Sequence, residues 1–142
     1  MSAPALQKTY QIQHRDFSTA GEASADIKRM LRQLGVQQET LRRVSVAAYE
    51  AELNLVIHSL GGQLSLEVDA HHILLCTSDK GPGIADIDAA MRAGFSTADD
   101  EARGLGFGAG MGLPNMKRNA DAFDIQSSWG KGTRICMTFN LG

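Results

Sequence analysis

The chain has 142 residues, enough for one domain with a proper core. Apolar residues make up 43% and the net charge is −2, which excludes a disordered chain and the basic footprint of a nucleic-acid surface. No apolar run approaches the roughly 20 residues needed to span a bilayer, and Met1 to Tyr10 lacks a hydrophobic signal core, so a soluble, cytoplasmic protein without a membrane partner is expected.

Residues 1–8 read as a loose start. Tyr10 to Phe17 alternates weakly, with Tyr10, Ile12 and His14 on one side, and predicts a strand. Ser18-Thr19 offers an N-cap, with Glu22 close behind. From Glu22 to Leu34, Ala23, Ile27, Met30, Leu31 and Leu34 recur at helical spacing, and Gly35 ends that helix. A longer helix runs from about Gln38 to Leu60. Its apolar stripe is Leu41, Val44, Ala48 and Leu55 with the alanines between, and Gly61-Gly62 stop it.

Gln63 to Ala70 alternates as a half-buried strand, His71-His72 makes a turn, and Ile73 to Thr77 returns as the second arm of an antiparallel hairpin. Ser78 to Gly83 carries turn chemistry. A short helix is expected over Asp86 to Arg92, then a long loop from Gly94 to Gly112, of the kind that is usually functional. A helix over Pro114–Ala122 follows. Phe123 to Trp129 and Thr133 to Asn140 form a last strand pair, joined by Gly130-Lys131-Gly132. Cys76 and Cys136 lie in apolar, strand-like stretches and read as buried thiols ahead of a disulfide. The order predicts one α+β domain over residues 1–142: a two-layer sandwich with helices on one face of a mixed, mainly antiparallel sheet.

Gly104 to Leu113 is the densest signal, with glycine at five of its first nine positions. Alternate glycines let several backbone N–H groups turn toward one centre, and the helix start behind them adds to the field, so the stretch reads as a phosphate cradle. A flexible linker would be rich in Ser and charge, and this loop carries Leu105, Phe107, Met111 and Leu113. A Walker loop is rejected, because the Gly130-Lys131 pair is followed by Gly132. Gly104 to Ala109 fits the dinucleotide pattern, but no strand ends just before it.

Three further pieces surround the loop. Glu50 and Asn54 lie four residues apart on the long helix, on nearly one face, with His58 a turn beyond. A polar edge facing solvent explains Glu52, and it explains Glu50 too when Glu50 is taken alone; the Glu50–Asn54 pair gains weight only beside the other motifs. Asp79-x-Gly81-x-Gly83 follows a buried strand, where a carboxylate can accept from an exocyclic amine. Gly130-x-Gly132-Thr133 closes the set.

In this order the four pieces resemble the sequence boxes of the GHKL ATPase/kinase superfamily, over about residues 10–140. The small size looks like the bacterial serine/threonine kinases of partner-switching systems, which include anti-sigma-factor kinases and stress-module switch kinases. Asn54-x-x-x-His58 looks like the anti-sigma type; Gly94-Phe95-Ser96-Thr97 and Gly112-Leu113-Pro114 look more like the stress-module type.

The resemblance implies ATP and Mg²⁺ as ligands. It gives Asp79 the adenine amino group, Thr133 a water-borne contact to adenine, and Gly81 and Gly83 a close approach to the base. Asn54 would take Mg²⁺. Gly104, Gly106, Gly108, Gly110, Met111, Gly112 and Leu113 would surround the phosphates. Glu50 would orient or deprotonate the attacking hydroxyl, and residues 94–112 would form a lid. Lys117 reads as a solvent-facing helix lysine ahead of a phosphate contact, Arg103 equally as a phosphate or partner contact and as a plain surface residue, and His58 has no assigned role. The implied substrate is a STAS-type antagonist protein, with a sigma factor or a phosphatase as second partner; related kinases are often homodimers. The alternative is a non-catalytic, ATP-gated binding module. A dinucleotide-binding fragment ranks far below both.

Overall fold

The computed structural model describes residues 6–13, 16–58, 61–79, 112–128 and 132–141. The chain opens as a strand, β1 (Leu6–Ile12), four residues earlier than its pattern suggests. Leu6, Lys8, Tyr10 and Ile12 share the face toward the helices. Lys8 breaks the apolar alternation because its ammonium is held 2.8 Å from Asp26. The same carboxylate accepts from the Tyr10 hydroxyl at 2.6 Å and from Arg29. These partners, the Lys8 ammonium first, hold the Asp26 carboxyl well below the usual carboxylate range.

Helix α1 (Glu22–Gln33) ends as expected at Gly35, whose φ is +79°. Val36 N–H bonds to Leu31 C=O and Gly35 N–H to Arg32 C=O, the paired closure that a left-handed residue after a helix permits. The start differs from expectation. The N-cap is Gly21, not Ser18 or Thr19, and its residue type has no side-chain acceptor. The cap comes from the next helix: Glu52 accepts from Ala23 N–H at 3.2 Å and from Ser24 N–H at 3.0 Å. Glu52 is therefore a buried residue, 2% exposed, and not the solvent-facing edge that its neighbours suggest. A buried carboxylate at a helix start satisfies orphan amides and meets the positive end of the helix dipole. Glu52→Ala should lower stability by about 2 kcal/mol, and Glu52→Gln, which retains a carbonyl acceptor, by less; urea unfolding reads the difference.

Helix α2 (Gln38–His58) packs against α1, the sheet and a third helix. Ala47, Ala48 and Ala51 are fully buried, and their small side chains let α2 approach these neighbours closely. β2 (Gly62–Val68) and β3 (His72–Asp79) form the expected antiparallel hairpin. Its turn lies earlier than His71-His72, because the Asp69 carboxylate accepts from both His71 and His72 N–H and sets the reversal there. The third helix, α3 (Gly112–Asn119), starts two residues before Pro114 and stops short of Ala122. β4 (Ala122–Ser128) and β5 (Gly132–Asn140) complete the described elements. The expected helix over Asp86–Arg92 and the loop from Gly94 to Met111 lie outside the described residues.

The strand order is β1-β2-β3-β5-β4, and each ladder among the described residues is antiparallel. The α+β, two-layer reading holds. One sheet face carries Leu64, Leu66, Ile73, Leu75, Ile135, Met137 and Phe139, all fully buried. Ile27 and Leu31 of α1, Val44 and Leu55 of α2, and Met116 of α3 cover it. Cys76 and Cys136 correct a further expectation. They are register partners in the β3–β5 ladder, with Cα atoms 4.1 Å apart, on the face turned from the helices, and they form a disulfide. Directly facing positions on adjacent antiparallel strands bring two cysteine side chains together on one face of the sheet. No helix among the described residues is long and apolar enough to cross a membrane.

Candidate functional site

Glu50 lies half-buried on α2, against the first turn of α3. A Cβ on Gly112 would stand 3.3 Å from Glu50 Oε2, so a residue without a side chain admits the carboxylate there. Asn115, one turn along α3, donates its side-chain amide to Glu50 Oε1 over a long 3.5 Å. Arg118 donates to the Asn115 oxygen at 3.3 Å, which turns the amide nitrogen toward Glu50. Burial pushes the Glu50 carboxyl above its ordinary value, and the Asn115 hydrogen bond acts in the opposite sense.

Helix α3 is fixed at its other end. Arg43 of α2 forks onto Asp121, both contacts 3.2 Å, and donates to the Asn119 carbonyl at 3.1 Å. Asp121 also accepts from Asn140 N–H at 2.7 Å. The Arg43 guanidinium first, then this amide, holds the Asp121 carboxyl below its usual value. The N-terminal turn of α3 is thus anchored relative to α2 and to the sheet. Leu113 is buried with its side chain in the core, so it can serve a ligand only through its backbone, and Pro114 has no N–H.

A second cluster sits at the end of β3. Asp79 Oδ1 accepts from Thr133 N–H at 3.1 Å. Thr133 is buried, and its hydroxyl lies 2.8 Å from that of Ser127. Glycines flank Asp79 on both neighbouring strands. A Cβ on Gly62 of β2 would overlap the Ser78 carbonyl and crowd the Asp79 Cα. A Cβ on Gly132 of β5 would overlap the Asp79 carbonyl.

Chain connectivity relates the clusters. Residues 59–61 alone join α2 to β2, and Gly62 pairs with Asp79. The C-terminal half of α2, with Asn54 half-buried one turn beyond Glu50, therefore runs toward the Asp79 end of the sheet. Of the expected site residues, Glu50, Asn54, Asp79, Gly112, Leu113 and Thr133 are described. Gly81, Gly83, Gly104, Gly106, Gly108, Gly110 and Met111 lie outside the described residues, as do Arg103 and the His58 side chain. Lys117 is exposed, as a surface lysine would be. Asn115 and Ser127 were not among the expected residues. Asn115 stands one helical turn after Gly112, and a helix beginning at Gly112 would have pointed to it.

The arrangement offers a desolvated carboxylate at a helix N-terminus, where backbone amides favour anions, and a second carboxylate at a strand end beside a buried hydroxyl. That combination can hold a phosphorylated ligand with a donor-bearing base and move a proton at Glu50.

Comparison with known proteins shows the family of the chain. Residues 15–139 match the model of the histidine kinase-like ATPase domain. The serine/threonine-protein kinase RsbT of Bacillus subtilis (strain 168) is 32% identical over 112 residues, 76% of this chain and 78% of that protein. The anti-sigma F factor of Thermoanaerobacter sp. (strain X514) is 31% identical over 115 residues, 78% of this chain and 77% of that protein. A chain in the crystal structure of the SiaB-SiaC complex from Pseudomonas aeruginosa superposes with a TM-score of 0.53 at 12% identity. It covers 94% of this chain and 89% of its own, a likeness of fold.

Proposed function

The chain belongs to the histidine kinase-like ATPase domain family, and from that premise we propose that it is an ATP-dependent serine/threonine kinase acting on a STAS-type antagonist protein in a partner-switching pathway. The observation that carries the reading is Glu50, a half-buried carboxylate against Gly112 where the glycine run meets α3. A desolvated carboxylate at the start of α3 supports transfer; in a module that only bound nucleotide, Glu50 would need a structural role.

In this reading ATP lies with its base at Asp79 and Thr133 and its phosphates at the glycine run. The Asp79 carboxylate accepts from the adenine amino group, Thr133 reaches the base through a water, and Gly81 and Gly83 pass close to it. Gly104, Gly106, Gly108, Gly110, Met111, Gly112 and Leu113 line the phosphates, with backbone amides as donors. Mg²⁺ would be held by the Asn54 side-chain oxygen and would neutralise phosphate charge. One protein oxygen suits an ion that keeps waters and phosphate oxygens. The partner's hydroxyl oxygen bonds to the γ-phosphorus, the bond to the bridging oxygen breaks, ADP leaves with that electron pair, and the hydroxyl proton goes to Glu50. The added charge, about −1.5 to −2, then weakens the partner's hold. The released kinase takes a second partner, a sigma factor or a phosphatase.

The test uses the protein as bait in lysate of its source organism, with and without Mg-ATP. A captured STAS-like protein that gains one phosphoryl group, dependent on Glu50, supports the kinase. A second reading, an ATP-gated module without transfer, is favoured by the name of the anti-sigma F factor relative. It expects partners whose binding depends on ATP and whose mass never changes.

Asn115 gives this reading a pH dependence. Burial raises the Glu50 pKa and the Asn115 amide opposes it. Asn115→Leu removes that opposition, so Glu50 binds its proton more tightly and is less often ready to accept another. The acidic limb of kcat against pH should move to higher pH, with the KM for ATP little changed. An unmoved limb would leave Asn115 as packing.

A further inference from the structure

Ser127 and Thr133 are register partners on β4 and β5, with hydroxyl oxygens 2.8 Å apart. Taken alone, either could donate. A third oxygen decides the direction. Ser127 Oγ also lies 3.2 Å from the Gly132 carbonyl in donor geometry, and a carbonyl oxygen can only accept. Ser127 has one hydroxyl proton. With that proton on the Gly132 carbonyl, Thr133 must supply the proton of the 2.8 Å contact. The reverse assignment would turn Ser127 lone pairs toward the carbonyl oxygen. The run from Thr133 through Ser127 to Gly132 aligns both hydroxyls, and each bond strengthens the other. The Thr133 proton is thereby committed, and toward any ligand its oxygen can only accept. Thr133 is 7% exposed, so apart from the water that bridges it to the base little solvent competes for it. That water, with one proton given to Thr133, turns its own oxygen to the base as an acceptor. Its neighbour Asp79, tied to it through Thr133 N–H, is an acceptor as well.

We propose that Ser127 is a specificity-determining residue: by holding the Thr133 hydroxyl as an acceptor beside Asp79, it makes the base site select an aminopurine and reject a 6-oxopurine. The inference rests on the nucleotide reading above and adds to it a residue outside the base's own contacts. The amino group of adenine donates to an edge made of acceptors. The O6 of guanine would set lone pairs against that edge and give its acceptors no proton.

The test measures Mg-ATP and Mg-GTP binding by calorimetry for the wild-type protein, Ser127→Ala and Ser127→Thr, with thermal unfolding as a control on the fold. Wild-type protein should prefer ATP. Ser127→Ala frees the Thr133 proton, so the hydroxyl can turn and donate, and the ATP-over-GTP preference should shrink about tenfold, the size of one reversed hydrogen bond. Ser127→Thr retains the hydroxyl and should restore the preference. A Ser127→Ala protein that binds both nucleotides more weakly by the same factor makes Ser127 a packing residue and overturns the inference, leaving the ATP site standing. Wild-type protein that binds ATP and GTP equally overturns it too. Wild-type protein that binds neither nucleotide overturns the ATP reading and this inference together.

Discussion

Glu50→Gln should cut phosphoryl transfer to the partner by about 10²–10⁴-fold while ATP binding persists. The substitution is nearly isosteric and keeps a carbonyl oxygen for the Asn115 amide, so α3 stays in place. It removes the group that can take the hydroxyl proton. The accompanying effect on stability separates a catalytic role from a structural one. Burial raises the Glu50 pKa in the folded protein, so the folded state favours the protonated carboxyl. As pH rises through the ordinary carboxylate pKa toward the raised one, the folded state must ionise a group it would keep neutral, and stability falls. At neutral pH the fold therefore carries the cost of an ionised, half-buried carboxylate. Glu50→Gln relieves that cost, and its melting temperature should equal or exceed that of the wild type. Single-turnover phosphorylation and thermal unfolding on the same preparations give both numbers. A loss of activity that merely follows a loss of stability would make Glu50 a structural residue. Activity near the wild-type level would leave the base unassigned; absence of transfer in the wild type as well would favour the non-catalytic module. The trade, stability surrendered at a functional carboxylate, is common where a site needs a group that the core would exclude.

The parts of this fold that are legible in the sequence are those whose signal is local. The apolar stripe of α1, the glycine that closes it and the Gly61-Gly62 stop after α2 are properties of neighbouring residues. So is the alternation of β2, and the order of the sequence boxes placed Glu50, Asn54, Asp79 and Thr133 on the right elements. What the pattern hides depends on residues distant in sequence. Lys8 looks like the end of a polar tail until Asp26 is placed opposite it. Glu52 resembles Glu50 in residue type and helix, yet one caps α1 and the other faces α3. Their partners are backbone amides and a glycine, which leave no side-chain signature. Cys76 and Cys136 bond only because a ladder between strands 60 residues apart brings them into register. The last hairpin shows how small the missing information can be. A turn centred on Lys131 would pair Thr133 with Trp129. The observed register pairs Ser128 with Gly132 and Ser127 with Thr133, so the turn is centred one residue earlier. That one-residue shift exchanges the partner of the buried threonine for a serine, and with it the hydrogen-bond partner of its hydroxyl.

Gly132→Ala should be among the most damaging single substitutions available in the described residues, destabilising by about 3 kcal/mol or more. Two independent strains coincide there. The φ of Gly132 is +89°, a region that disfavours any residue with a Cβ by about 1–2 kcal/mol. The added methyl would also overlap the Asp79 carbonyl and stand 3.3 Å from Asp79 Oδ1. Backbone oxygen cannot swing aside as a flexible side chain can. Relief requires β5 to move from β3 at the point where Asp79 and Thr133 are joined. Gly35 supplies the control. Its φ is +79°, but nothing lies within 4 Å of the Cβ it would gain. Gly35→Ala therefore carries the backbone strain without the overlap and should cost about 1 kcal/mol. The comparison isolates the contribution of close approach from that of conformation, and urea unfolding of both variants measures it. The functional consequence separates them further. The methyl added at Gly35 would touch nothing, so Gly35→Ala should bind ATP as the wild type does under conditions where it is fully folded. In Gly132→Ala the displacement falls on the Asp79 carboxylate itself. ATP affinity should drop in the folded fraction, beyond what the stability loss explains. Equal destabilisation by the two variants would mean that β5 has room to yield at Gly132. Undiminished ATP affinity in folded Gly132→Ala would place the base elsewhere than beside Asp79. Asp79 has glycine on both sides for a geometric reason: a Cβ on Gly62 would overlap the Ser78 carbonyl and one on Gly132 the Asp79 carbonyl, so the two strands close on this strand end only where neither neighbour carries a side chain.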